Sequence, residues 1–117
     1  IKNLVVATGK TFIASRIVGT PTTMSHMAVG SSSTAASTAD TTLGASLGRV
    51  ALNSSSSSGA VVTYVATFPP GTGTGAVVEA GVFNDASAGT MLCRTVFAVV
   101  NKGADDAMSI TWAITVS

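Results

Sequence analysis

The sequence predicts a mainly β protein: an antiparallel β-sandwich with a short N-terminal helix, built as a single domain over residues 1–117. Three observations carry this expectation. Four segments in the second half read as strands, with turn residues between them roughly every 8–12 positions. The last of these, "MSITWAITV", sends Met108, Ile110, Trp112, Ile114 and Val116 one way and Ser109, Thr111, Ala113 and Thr115 the other, the period of two that a half-buried strand requires. Apolar residues make up 46% of the 117 positions, enough for one core in a chain too short for two.

The elements follow in chain order. Thr8 is a candidate helix cap, with Phe12, Ile13 and Ile17 on one face and Gly19 just past the end, the place where helices terminate. "GTPTTMSHMAVG" reads as a turn and a short strand at Met24–Val29. Residues 31–42 form a Ser/Thr-rich loop, although Leu43 and Leu47, four apart, allow one helical turn. "GRVAL" is a candidate strand, and the serine run near 53–59 is a flexible loop or hairpin tip. "VVTYVATF" alternates, with Val62, Tyr64, Ala66 and Phe68 on one side. "PPGTGTG" breaks the ladder, "AVVEAGVF" resumes it, "NDASAGT" turns, "MLCRTVFAVV" is a third strand, and "NKGADDA" turns into the last.

Charge is scarce. Charged residues are 9% of the chain and the net charge is +1, against ~25% charged residues in an average soluble domain. No basic patch exists for nucleic acid, and steering by the protein's own field is weak. A surface this neutral fits a protein covered within a larger assembly. The single cysteine, Cys93, excludes an internal disulfide and a thiolate metal cluster. Apolar runs stop far short of the ~20 residues that span a bilayer as a helix, so no membrane is expected. No signal peptide is seen, and the start at Ile1 implies residues upstream.

Gly9-Lys10-Thr11 spells the end of a phosphate-binding loop. Such a loop needs Gly, four residues, then Gly-Lys-Ser/Thr; five positions before Gly9 stands Leu4, so the first bend is missing. The segment is read as the opening of a helix. His26, the only histidine, has Met24, Ser25 and Met27 beside it and no ligand set for a metal. No Gly-x-Ser-x-Gly elbow accompanies the serines. Cys93 sits mid-strand, with Arg94 aimed at the opposite face, and reads as a small buried thiol. Asp105 and Asp106 read as turn residues, and Asn53-Ser54-Ser55 is a formal glycosylation sequon that needs a secretory route to be used. Glu79, the only glutamate, lies inside an apolar strand, where a carboxylate is costly unless paired. A structural ion pair with Arg94 or Arg49 is the expectation; a general acid would need a second group, and none lies near in sequence. Trp112 and Phe83 are the expected core anchors. No catalytic, cofactor-binding or metal-ligating set emerges.

"EAGVFNDASAGTMLCRTVF" (Glu79–Phe97), with "VVNKGADDAMSITWAIT" after it and "MSHMAVGSSSTAA" and "TTLG" before it, resembles a recurring segment of tailed-phage virion proteins. These include small head-decoration proteins, tail proteins and the anchoring domains of tail-collar fibres. The resemblance covers about Met24 to Thr115. It implies a non-enzymatic β module that docks on major capsid or other virion subunits. It also implies self-association, as a homotrimer, and a place in the virion after assembly in the host cytoplasm. In such segments Glu79, Gly81 and Phe83 start a hairpin, a pattern that does not mark them as catalytic. Capsid decoration (cement) is the leading expectation, since a fibre anchor continues into a shaft. A tail, collar or fibre-anchoring role is second. A carbohydrate-binding module ranks below both, because Trp112 and Tyr64 fall on the apolar faces of their strands.

Overall fold

A computed structural model describes residues 3–19 and 22–115. In chain order the elements are β1 (Asn3–Val5), α1 (Ala7–Val18), β2 (His26–Gly30), β3 (Ser46–Ala51), β4 (Ser54–Ser58), β5 (Val61–Phe68), β6 (Gly75–Phe83), β7 (Met91–Lys102) and β8 (Met108–Thr115). They form a five-stranded sheet, β1-β7-β6-β2-β3, and a three-stranded sheet, β4-β5-β8. Every described pairing is antiparallel. The chain is a mainly β, two-sheet fold with one short N-terminal helix, consistent with a β-sandwich. Val116 and the ends of the 1–117 span lie outside the described residues.

The alternation of β5 and β8 explains the core. They pair along their whole length, from Val61 opposite Thr115 to Phe68 opposite Met108, which sets Tyr64 directly across from Trp112. Directly opposed aromatic pairs on one face stabilise a sheet by ~0.2–1 kcal/mol relative to an alanine pair. Tyr64, Ala66, Phe68, Trp112 and Ile114 meet Met27 and Val29 of β2, Ala80 and Val82 of β6, and Cys93 of β7. The buried apolar side chains of the two sheets thus form one interior cluster. Trp112 is 6% exposed. Ser109, Thr111, Ala113 and Thr115 face solvent.

A second buried cluster lies on the other face of the five-stranded sheet: Val6, Ala28, Leu43, Phe83 and Met91. Phe83 is therefore buried beneath this outer face rather than between the sheets.

Four sequence expectations differ from the structure. The serines near 53–59 are not a loop: Ser54–Ser58 form β4, paired with Val61–Val65 across a turn at Gly59–Ala60. Their side chains stay exposed, so the strand is held by the backbone ladder that β5 offers, not by packing. Thr8 does not cap the helix. Val6 precedes it with no side-chain cap, and Thr8 Oγ1 donates instead to the Met91 carbonyl at 3.2 Å. Ile17 is 80% exposed, while Phe12 and Ile13 pack on the core. Leu43 and Leu47 do not share a helical turn: Leu43 is buried in a loop and Leu47 belongs to β3.

The fold also accounts for the Gly-Lys-Thr segment. A Cβ on Gly9 would run into the carbonyl oxygen of Leu92. Gly9 is the contact point at which α1 lies against the start of β7, and the segment sits inside the first turns of a helix.

Candidate functional site

The most organised polar site lies on the outer face of the five-stranded sheet. Strand alternation sends Glu79, Gly81 and Phe83 of β6 to this face, opposite in register to Gly30, Ala28 and His26 of β2. Arg94 of β7 pairs with Gly81 and shares the face. Residues 31–45, the strap, cross over these side chains between β2 and β3.

Glu79 pins the strap at both ends. Its Oε2 accepts the backbone N–H of Ser32 and of Ala45, each at 2.9 Å. Its Oε1 accepts the Gly44 N–H and the Arg94 Nε–H, also at 2.9 Å each. The carboxylate is fully buried and Arg94 is 2% exposed. Burial alone would raise the Glu79 pKa; the amides of Gly44, Ser32 and Ala45 and the Arg94 guanidinium outweigh it and hold the group below its ordinary value. Arg94 Nη1 reaches on to Asp40 Oδ2 at 3.2 Å, and that oxygen also accepts the Ser37 N–H at 2.9 Å. Arg94 Nη2 is the one buried side-chain N or O atom among the described residues without a hydrogen-bond partner.

Glycine makes the close approach feasible. A Cβ on Gly30 would come within 2.5 Å of both Glu79 Oε2 and the Ala45 carbonyl oxygen. Leu43, from the strap, fills the apolar cluster beside Phe83 and Met91.

Of the two expected arginine partners, Arg94 pairs with Glu79 and Arg49 does not. Arg49 lies 3.7 Å above the Phe83 ring centroid, and its Nη1 donates to the carbonyls of Asp85 (3.0 Å) and Ala88 (2.8 Å). The reason is strand order. β2 lies between β3 and β6, so Arg49 sits two strands from Glu79, about 10 Å at the ordinary spacing. Arg94 is on the adjoining strand. Arg49 instead ties β3 to the turn between β6 and β7, where Asn84 Oδ1 also accepts the Thr90 N–H at 2.7 Å.

The remaining candidates are spread out. Cys93 is fully buried among core side chains, and burial pushes its thiol pKa up to about 12, the wrong direction for a nucleophile. His26 Nδ1 lies 2.7 Å from the hydroxyl of its neighbour Ser25. Asp106 Oδ2 accepts the Gly103 N–H at 2.9 Å within the last turn. Among the described residues no three His, Cys, Asp or Glu side chains cluster to hold a metal ion. Among the described residues no helix is long and apolar enough to cross a membrane.

Asp40 and the three strap amides are the functional groups that sequence reading missed. Backbone amides carry no residue signature. Asp40, the one charged residue in the Ser/Thr run, and Gly44 after it are the signals that could have pointed to them.

What the arrangement does chemically is hold a loop. A carboxylate with four donors and no open approach binds chain to chain rather than substrate. No protein-family model matches the sequence, and no curated protein matches it.

Proposed function

We propose that the protein is a non-enzymatic structural subunit of a tailed-phage virion, in its leading form a capsid decoration (cement) protein that bridges neighbouring capsid subunits. The observation that carries the reading is the pinned strap. Glu79 and Arg94 both lie in the β6–β7 hairpin, the segment whose sequence resembles virion proteins, and they fix residues 31–45 over the sheet. This holds in place a surface of Ser, Thr, Ala and Gly with little charge, which a neighbouring subunit would meet through short-range contacts rather than long-range attraction. Trp112 and Tyr64, at 6% and 8% exposure, offer no aromatic platform to a sugar, which weighs against the carbohydrate-binding alternative.

The test is the number of copies per purified particle, measured by quantitative mass spectrometry. Hundreds of copies support capsid decoration. A dozen or fewer point to a tail, collar or fibre-anchoring role. Absence from the particle refutes the virion reading.

A further inference from the structure

β8 is the edge of the three-stranded sheet, and it lacks the features that usually guard such an edge. Sheet edges are normally blunted by charge, proline, bulges or short length. Here β1 is three residues long, β3 carries Arg49, and β4 is all serine. β8 runs for eight residues without a charge, a proline or a register shift. An open groove of about 540 Å³ follows it, lined by Met108, Ile110 and Trp112 on one side and by Phe97 and Val100 of β7 on the other. Val99 and Val100 are 53% and 44% exposed, next to the shift in the β6–β7 register between Val77 and Glu79.

We infer that this edge is a self-association surface, where β8 pairs antiparallel with β8 of a second copy about a two-fold axis. The sequence of the strand is its own complement. Opposed residues in an antiparallel pair point to the same face, so only registers that match odd with odd and even with even keep like faces together. Centred on Ile110, the pairing sets Met108 against Trp112 and Ser109 against Thr111. Centred on Thr111, it sets Ile110 against Trp112. In both, apolar meets apolar beside the groove, small residues meet small residues in solvent, and no like charges are opposed. The edge from Met108 to Trp112 suffices. A foreign partner would gain no selectivity from a strand that has neither charge nor a distinctive outward side chain, whereas a second copy fits by symmetry and closes the assembly. The three-stranded sheet then continues across the axis, and the groove side of Met108 and Ile110 leaves water. The resemblance implies a trimer; this edge favours a dimer.

The inference goes beyond the virion reading and is tested on purified protein, so either can fail alone. Thr111 is exposed and lies on the axis or within about 8 Å of its copy in both registers. Light scattering after gel filtration, at high micromolar concentration, is expected to give twice the chain mass for the wild type. Thr111→Lys and Thr111→Glu are each expected to run as monomers with unchanged circular dichroism, and their equimolar mixture to recover the dimer. Ser56→Lys, on the opposite edge of the same sheet, is expected to remain dimeric. A wild type of one or three chain masses overturns the inference. So does a Thr111→Lys dimer, or a monomer produced by Ser56→Lys alone.

Discussion

Replacing Glu79 by alanine removes the acceptor of four hydrogen bonds at once. Three of the stranded donors are backbone amides of the strap, and the fourth belongs to a 2% exposed guanidinium. An unmet buried donor costs ~1–3 kcal/mol, and removing one partner of a buried ion pair costs ~3–5 kcal/mol. Asp40 still holds Arg94 from the other side, and a released strap can rehydrate its amides. The total is therefore placed at the ion-pair figure, ~3–5 kcal/mol, rather than at the sum. For a chain of this length about 1 kcal/mol shifts the melting temperature by ~4 °C, so a fall of about 12–20 °C is expected. Calorimetry measures it, and amide hydrogen exchange locates it: Ser32, Gly44 and Ala45 lose protection first. The charge makes the same site pH-dependent. Because the folded-state pKa of Glu79 is depressed, its stabilisation is fully present above the unfolded carboxylate pKa of ~4.3. It is lost as the pH falls through the lower folded value. Urea unfolding between pH 7 and pH 2 reads this as a loss absent from Glu79→Gln. Strap amides with wild-type protection in Glu79→Ala, or a stability within ~0.5 kcal/mol of wild type, would refute the pinning argument.

Other expectations are more local. Trp112→Ala empties a site in the core at a cost of ~3–5 kcal/mol, read by thermal melt; an unchanged melt would mean the ring is not packed. Gly9→Ala drives a Cβ into the Leu92 carbonyl and destabilises by ~1–3 kcal/mol, whereas Lys10→Ala on the exposed side of the helix leaves stability unchanged, by denaturant titration. Calorimetry with ATP and magnesium gives no heat for either the wild type or Lys10→Ala. Cys93, with its thiol pushed up to about 12, reacts with a disulfide reagent at neutral pH only as fast as the fold opens; rapid labelling of the native protein would contradict its burial.

What was legible in the sequence follows what side chains reveal. β5 and β8 were readable because alternate residues differ sharply, Tyr64, Ala66 and Phe68 against Thr63 and Thr67. β4 was not, because five serines have no inner and outer face; its pairing is dictated by the edge of β5. The Glu79 clamp was half readable. A lone carboxylate in an apolar strand must be satisfied, which pointed to an arginine. Which arginine depended on the order of strands across the sheet, and the insertion of β2 between β3 and β6 is not written in any local pattern. The strap stayed hidden because it is held through its amides. Thr8 looked like a cap because its residue type favours one, but the contact of Gly9 with Leu92 sets where the helix begins to pack and leaves Thr8 to bond across to Met91.

The proposed virion subunit is held on the particle by apolar and backbone contacts rather than by charge. Short contacts of this kind are largely insensitive to screening, whereas attachment through surface ion pairs fails once the Debye length falls to ~3 Å at 1 M salt. The direct measurement is to purify particles on a density gradient, wash them in 1 M NaCl, re-sediment them and quantify the protein in pellet and supernatant. The account predicts that nearly all of it stays with the particles. Release of most copies into the supernatant, or its absence from the particles before the wash, would contradict it.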